Sequence, residues 1–338
     1  MASPPAVGSS ATFARRLAEI TKARETGIFL ALVILCVLIA LLTPNFLSVR
    51  NLLNIGRQVS LLGIMAIGMT FVLITREVDL SVGSIYALTG LASGMLIVAN
   101  WPLIPAIVAG LALGAAVGFV NGWLSTYGRL PSFITTLGML SVARGAALLM
   151  TNGEPVSINS TSGVAPPILE HFFFLGQGRL WGIPMQLVFF ILFAVVFWVL
   201  LSHTTFGFRI YAVGGSDKAS RLSGIRVPNV KIWAFTIMGT LSAVAGILGL
   251  AFLPSGQAGR TGVGLELDVI AAAIVGGASL SGGEGTILGT VLGVLIIGVL
   301  RNGLILLGIS PFWQTTIIGA VIILAVGVDK WTEHHRLR

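Results

Sequence analysis

The polar side chains that could do chemistry in this sequence are few, and most of them lie in or beside long apolar stretches. They are carboxylates, amides, a hydroxyl and guanidinium groups: Asp79, Ser81, Asn121, Arg144, Glu266, Asp268, Arg301, Asn302 and Gln314. A charge in the hydrocarbon core costs at least about 2.5–3.5 kcal/mol, so such groups usually face a protein interior or an aqueous path. They could therefore line a path for a hydroxyl-rich solute, or they could hydrogen-bond helices to one another.

Catalytic and metal-binding patterns are missing from the sequence. All four histidines fall in predicted loops or at the ends of apolar spans, so no Ser/His or Cys/His pair can be placed inside a membrane. There is no HExxH motif, and the single cysteine, Cys36, excludes an internal disulfide and a multi-thiolate metal site. The sequence therefore predicts no catalytic residue and no metal site, which disfavours a membrane enzyme.

Nucleotide-binding motifs are also missing. No G-x-x-x-x-G-K-[ST] phosphate loop occurs. The stretch from Leu280 to Glu284 reads LSGGE and looks like the signature loop of ABC ATPases, but it lies between two apolar spans without a nucleotide-binding lysine. We interpret it as a tight glycine-rich connection between helices. Any ATP and Mg²⁺ must be bound by another polypeptide, and no cofactor is expected in this chain.

The composition is that of an integral membrane protein. Of 338 residues, 55% are hydrophobic and only 9% are charged, against roughly 25% charged in soluble domains. The net charge of +8 does not indicate a nucleic-acid partner. The basic residues instead flank apolar spans and cluster in one central loop, as expected of a protein in contact with membrane lipid.

The apolar pattern predicts an all-α, polytopic fold with about ten transmembrane helices. The predicted spans are 27–43, 59–75, 82–100, 103–125, 133–151, 185–203, 232–253, 265–280, 285–308 and 311–328. The positive-inside rule then gives a cytoplasmic N-terminal tail (1–26), a transmembrane domain (27–331) and a cytoplasmic C-terminal tail (332–338). The basic loop at about 204–231 falls inside, and 152–184 falls outside. The segment 265–280 is short enough to be re-entrant.

One polar segment interrupts the apolar pattern abruptly, between Arg76 and Ser84. Asp79 or Ser81 could cap the following helix. The segment is either a plain cytoplasmic turn or a break in a helix near a path. No Asp or Glu occurs in the predicted spans 27–43, 59–75, 103–125, 133–151, 185–203, 232–253 and 285–308. This lowers the expectation of an ion-coupled carrier, since such carriers usually keep carboxylates in the membrane.

The central loop carries a spacing typical of ABC importers. Lys218-Ala219-Ser220, followed by Gly224, has the spacing of the E-A-A-x-x-x-G coupling loop, although a solvated basic loop would explain it as well. Small residues would let a short helix seat closely in an ATPase, and cations at its edge would meet the partner electrostatically. The predicted coupling residues are Gly215, Asp217, Lys218, Ala219, Ser220, Leu222, Gly224 and Ile225.

Several stretches, in order along the chain, resemble the ribose-type permease subunits of bacterial sugar ABC importers. The likeness extends from about residue 50 to 330. The matching stretches are Ala66–Val72 (AIGMTFV), Asp79–Ser84 (DLSVGS), Asn121-Gly122, Pro131–Gly138 (PSFITTLG), Gly214-Gly215, Leu222–Ile225 (LSGI), Glu266–Ala273 (ELDVIAAA), Gly276-Gly277 and Asn302–Leu304 (NGL).

The resemblance implies a transporter subunit of the bacterial inner membrane rather than an enzyme. A second copy or a paralogue would pair with it, an ABC ATPase would dock on the coupling loop, and a periplasmic solute-binding protein would deliver a monosaccharide or sugar-like solute. The coupling loop departs from the general pattern, with Lys218 in place of the glutamate. A branched-chain amino-acid ABC permease and an ion-coupled secondary transporter remain the alternatives.

Overall fold

The computed structural model describes residues 9–158 and 163–310, with scattered positions between 313 and 327, and side chains from residue 25 onward. The described chain is helical. Its helices are α1 (Ser9–Leu42), α2 (Val49–Ile74), α3 (Val82–Val98), α4 (Leu103–Thr126), α5 (Ser132–Thr151), α6 (Pro166–Gln177), α7 (Met185–His203), α8 (Thr205–Gly215), α9 (Asp217–Leu222), α10 (Val227–Phe252), α11 (Leu265–Val275) and α12 (Ile287–Leu306).

The extended segments are four two-residue strands in two antiparallel pairs. β1 (Val156–Ser157) pairs with β4 (Ser255–Gly256), and β2 (Arg179–Leu180) pairs with β3 (Ile183–Pro184). The first pair ties the connection after α5 to the connection after α10. The second pair follows α6, whose Gln177 donates to the carbonyl oxygens of Ala251 and Phe252. Both pairs therefore lie in the connections at one end of the bundle, which we call the Phe252 end after the last residue of α10. The opposite end is the Val227 end.

Seven of the described helices are long and apolar enough to cross a membrane: α1 from Glu25, α2, α4, α5, α7, α10 and α12. The apolar helix α3 has only 17 residues, and α11 has 11. The tenth predicted span, 311–328, falls largely outside the described residues. The predicted number of about ten spans is therefore not confirmed, although the described chain is mostly helical and has seven helices that could cross a membrane, as an all-α polytopic fold requires.

Helices α2 and α10 form the centre of the bundle. Most of each helix is buried, whereas α1, α4, α5 and α7 expose most of their apolar surface. Contacts along their length show that α2 and α10 run antiparallel: Gly68 packs on Met238, and Arg57 lies over Phe252. A helix buried on all sides reads as hydrophobic all round, which is the pattern of both sequences. The outward faces of α1, α4, α5 and α7 are suited to lipid or to another membrane subunit.

A glycine seam lets α4 approach α10 closely. The seam consists of glycines four residues apart, which share one face of a helix: Gly110, Gly114, Gly118 and Gly122. A Cβ at Gly118 would lie 2.2 Å from the carbonyl oxygen of Phe235. Since small residues allow backbones to approach in a membrane, this seam explains much of the tight α4–α10 packing.

The segment 253–280 does not form a full span. Helix α11 is only 11 residues long, or about 16 Å, roughly half the ~30 Å hydrocarbon core. The preceding connection returns from the Phe252 end into the bundle, where a Cβ on Gly83 would lie 2.2 Å from the Gly262 carbonyl oxygen. Helix α11 then packs antiparallel to α12, with Gly276 against Gly289. The residues predicted as the eighth span are thus a half-helix preceded by irregular backbone.

Candidate functional site

The predicted polar segment between α2 and α3 is a buried break rather than an exposed turn. Asp79 and Ser81 are fully buried. Asp79 Oδ1 accepts hydrogen bonds from the Ser81 backbone N–H at 2.8 Å and from the Ser81 hydroxyl at 2.6 Å. Ser81 occupies the N-cap position of α3 but makes no side-chain capping bond. The predicted cap is therefore absent, and the two side chains bond to each other instead.

Asn121 on α4 completes this cluster. Its amide donates to the Ser81 hydroxyl at 2.9 Å and to Asp79 Oδ2 at 3.4 Å. The neighbouring Gly122 packs on Ile232, the sixth residue of α10, so the cluster lies beside the first turns of α10 at the Val227 end. Three of the predicted path residues thus converge, but they bond mainly to one another. This arrangement joins the α2–α3 break to α4.

The half-helix α11 brings two more predicted residues to one region. Asp268, in its first turn, pairs with Arg301 of α12 at 2.9 Å. Glu266 lies beside Gly83 in the first turn of α3, with its carboxylate 2.7 Å from where a Cβ would stand. Acidic residues in the first turn of a helix are favoured by its dipole. Discontinuous helices ending at membrane depth are typical of transporters.

Arg144 of α5 binds the irregular backbone that precedes α11. Its guanidinium donates to the carbonyl oxygen of Ala258 at 2.7 Å and to that of Thr261. Irregular backbone at membrane depth is tolerated only inside protein or beside a water-filled cavity, because its polar groups need partners. Arg144 supplies such partners, which is a structural role for a residue predicted to line a path.

Asn302 lies apart from the other described residues of the predicted path. Asn302 exchanges two hydrogen bonds of 3.0 Å with Asn51 of α2, so its amide joins α12 to α2. This matches the alternative interpretation, in which asparagines hold helices together. Gln314 lies outside the described residues.

The predicted coupling loop, 204–231, is mostly helical. Thr204 alone separates α7 from α8, and Ser216 separates α8 from the six-residue α9. The Ser216 side chain caps α9 by accepting from the Ala219 N–H at 3.2 Å. Gly224, with a φ of +81°, then reverses the chain, as glycine often does after a helix. The predicted coupling residues therefore lie at the end of α8, in helix α9 and in the turn that follows it.

Helix α9 presents its predicted residues to solvent. Leu222 is 82% exposed, and Lys218, Ala219 and Gly224 are also exposed, whereas Ser220 is buried beneath them. Asp217 lies in the first turn and Arg221 in the last, both favourable for the helix dipole. An exposed leucine beside small and charged residues on a short, capped helix is suited to protein contact.

Hydrogen bonds to backbone groups connect the end of α8 to the α2–α3 break, and connect that break to the glycine-rich turn after α11. Arg76 donates to the carbonyl oxygens of Gly214 and Gly215, at 2.7 Å each. The Gly283 N–H donates to the Ile74 carbonyl at 2.9 Å. We call this junction at the Val227 end the hub; it consists of residues 74–77, 211–217, Lys231 and 276–286.

Two side chains reinforce the hub. Lys231 of α10 bridges Glu77 at 2.8 Å and Asp217 at 3.2 Å, which ties the start of α9 to the break. The Tyr211 hydroxyl donates to the Gly285 carbonyl at 2.6 Å. Burial raises the pKa of Tyr211, so this hydroxyl stays protonated and able to donate at physiological pH. The end of α8 and the start of α9 are thus bonded to both interrupted segments.

Several residues that the structure places at these sites, or beside a cavity between α2, α7 and α12, are not among the residues predicted from the sequence. Arg57 and Gln58 precede the predicted start of the second span, but α2 begins ten residues earlier, at Val49. Gln186 lies within a predicted span, and a single amide at the start of an apolar run gives no sign that its side chain lies at a cavity. Lys231 and Arg76 fall in polar segments that the sequence predicts to be loops. Nothing in their spacing from the apolar runs indicates which residues they bind. Among the described residues, no cluster of three potential metal ligands occurs.

Comparison with known proteins gives one consistent result. A family model described as "Branched-chain amino acid transport system / permease component" matches residues 51–326. The ribose import permease RbsC of Escherichia coli K12 is 43% identical over 306 residues, covering 90% of this chain and 94% of that protein. RbsC of Bacillus subtilis 168 is 44% identical, covering 91% and 93%.

Two further similarities agree. The L-arabinose ABC transporter permease AraH of Azospirillum brasilense is 39% identical, covering 92% of this chain and 89% of that protein. A solved chain from an inward-facing metal-chelate-type ABC transporter matches with a TM-score of 0.51 and 15% identity, covering 89% of this chain and 98% of its own, which supports the fold alone. The chain therefore belongs to the family of ABC importer permease components that includes the ribose import permeases, and it is a transporter subunit rather than an enzyme.

Proposed function

We propose that this chain pairs with a second copy or a close paralogue to form the path of an ATP-driven importer for a monosaccharide or sugar-like solute. An ABC ATPase, which binds ATP and Mg²⁺, docks on α9, and a periplasmic binding protein delivers the solute. The Val227 end and both termini face the cytoplasm of the bacterial cell, and the Phe252 end faces the periplasm.

The hub is the observation that carries this proposal. Lys231 joins the start of the exposed α9 to the α2–α3 break, and Arg76 joins the end of α8 to the same break. Gly283 then joins the break to the turn behind α11. Force applied to α9 would therefore reach both interrupted segments without crossing flexible chain. A permease driven by a partner needs such a connection, whereas a carrier that binds its own coupling ion does not.

The names of the relatives support the sugar class. Proteins named as ribose and L-arabinose permeases are about 40% identical along nine-tenths of the chain. The family description names branched-chain amino acids, so a zwitterionic solute is the alternative that the experiment must separate.

The first experiment is a pull-down of the tagged chain from detergent-solubilised native membranes, with a known ABC importer as the control for complex survival. We expect an ATPase with a phosphate loop to co-purify. The recovered complex, with its binding protein, is then reconstituted in liposomes and supplied with ribose, arabinose or leucine.

ATP-dependent uptake of a sugar that leucine does not inhibit is the expected result. Uptake of leucine would establish the amino-acid class instead. Uptake by this chain alone, driven by an ion gradient, would overturn the ATP-driven mechanism.

A further inference from the structure

One cavity holds polar groups that have no role in the coupling described above. It lies between α2, α3, α7, α11, α12 and the last residue of α10, with a volume of about 430 Å³. This volume is within the range of about 300–1,000 Å³ typical of small-molecule sites. Its polar lining residues are Arg57, Gln58, Tyr86, Gln186, Asp268 and Arg301.

Gln186 is the lining residue that indicates a ligand. It is only 1% exposed, and neither its amide nitrogen nor its amide oxygen has a hydrogen-bond partner among the described residues. Buried polar groups are nearly always paired, and leaving one unpaired is unfavourable. A primary amide offers two donors and an accepting oxygen, so a ligand that satisfies it must both accept and donate hydrogen bonds. Hydroxyl groups do both.

The charges of the cavity argue against an ammonium group on the ligand, although a carboxylate could pair with Arg57. Its one carboxylate, Asp268, is already paired with Arg301. Arg57 lies 4.6 Å from the centre of the Phe252 ring, and within the described part of the chain no carboxylate pairs with it. An ammonium group in this cavity would meet an unpaired cation and no free anion. An uncharged ligand has no such cost.

The remaining walls of the cavity are apolar, and they include Leu61, Leu62, Met65 and Phe252. Such walls suit the C–H faces of a ring, while Gln186 and Gln58 suit its hydroxyls. We propose that each permease chain contains its own binding site for an uncharged polyhydroxylated ring, with Gln186 as the residue that selects hydroxyl-rich ligands. The inference rests on the proposed function for its solute class, but it locates a binding site inside one subunit rather than between two.

The test measures binding to the full-length permease alone, in lipid nanodiscs, by saturation-transfer NMR. The probes are D-ribose, L-arabinose and L-leucine. The variant Gln186→Met removes the amide at nearly constant length. The control variant is Thr240→Val, which also removes a polar side chain from a helix but lies outside the cavity, where its hydroxyl bonds only to Thr236.

At least one sugar should give a transfer signal with the wild-type chain and with Thr240→Val, and leucine should give none. Gln186→Met should lower the sugar affinity at least about five-fold, because a lost hydrogen bond in a buried site has an effect of that order. Equal sugar binding by Gln186→Met and the wild-type chain would overturn the proposal.

A leucine signal from the wild-type chain that sugars do not displace would also overturn it, and this result does not depend on any variant folding. Failure of this inference is distinguishable from failure of the proposed function. If the complete importer takes up sugar while the permease alone binds none, only the in-subunit site is wrong. If the complete importer takes up no sugar, the function itself is wrong.

Discussion

At the scale of single residues, polar groups in this protein mostly bond to one another rather than standing open. Asp79, Ser81 and Asn121 bond to one another, although the Asn121 amide oxygen has no partner among the described residues, and Asn302 pairs with Asn51. The sequence could identify these positions, because polar side chains are conspicuous in apolar stretches. It could not identify their partners, because those come from helices distant in sequence. Gln186 differs, since it is buried without a partner.

Gly224 provides a residue-scale prediction about ATPase docking. Gly224→Glu should abolish solute uptake while leaving the protein in the membrane, because a bulky charge would prevent α9 from seating in the ATPase. The φ of +81° adds strain for most side chains. Gly224→Asn is therefore the matched control, since asparagine tolerates this conformation. Co-purification of the ATPase and uptake are measured for both variants; normal uptake by Gly224→Glu would contradict the assigned docking site.

Lys231 provides a prediction about coupling. Lys231→Met should leave Glu77 and Asp217 without their shared cation, and so loosen α9 from the α2–α3 break. We expect ATP hydrolysis by the assembled importer to continue while uptake falls about ten-fold or more, an effect of about 1.4 kcal/mol. The ratio of solute transported to ATP hydrolysed is the measurement.

The charge swap Lys231→Glu with Glu77→Lys tests whether that particular pair matters. Partial recovery of the ratio in the double variant, relative to each single one, would show coupling between the two residues. A ratio that stays unchanged in Lys231→Met would mean that the bridge is not part of force transfer.

At the scale of elements, the apolar pattern predicted most helices within a few residues but failed where polar residues lie inside helices. Helix α2 begins at Val49, whereas the predicted span begins at 59. The polar residues Asn51 and Arg57 interrupt the apolar pattern before residue 59. The structure gives both of them partners, Asn302 and the Phe252 ring. The end of the half-helix α11 could not be predicted for a related reason. Hydropathy reflects composition, and it does not show where the backbone leaves the helical conformation.

The glycine seam gives an element-scale prediction. Gly118→Leu should destabilise the permease by at least about 3 kcal/mol, because the new side chain would meet the backbone of α10 and cannot be accommodated by a rotamer change. The control is Gly138→Leu on α5, where a Cβ would meet nothing within 4 Å. Thermal unfolding of both purified variants in detergent is the measurement, and equal unfolding temperatures would contradict the close α4–α10 contact.

At the scale of the whole molecule, the two ends differ in character. The Val227 end carries the basic helices and the hub, and the Phe252 end carries the strand pairs and α6. Charge asymmetry alone predicted this division, because lysine and arginine in short loops orient a membrane protein. The outward faces of α1, α4, α5 and α7 leave ample surface for a second subunit and for lipid.

The orientation can be measured by labelling with a membrane-impermeant maleimide. In a Cys36→Ser background, Glu170→Cys in α6 should be labelled in cells whose outer membrane is permeable and whose inner membrane is intact. Ser223→Cys, beside α9, should label only after the inner membrane is opened. Both positions are exposed in the structure. The reverse pattern would mean that the Val227 end faces the periplasm.

The half-helix α11 also has a consequence for how the chain is made. With 11 residues, two of them acidic in its first turn, it is too short to enter the lipid bilayer as an independent span. The irregular backbone before it would be equally unfavourable in lipid. Segment 253–286 must therefore enter the membrane late in biosynthesis, after the ribosome has completed α12 and supplied Arg301 as a partner for Asp268. A nascent chain arrested before α12 should keep this segment at the membrane surface, where a protease could reach it.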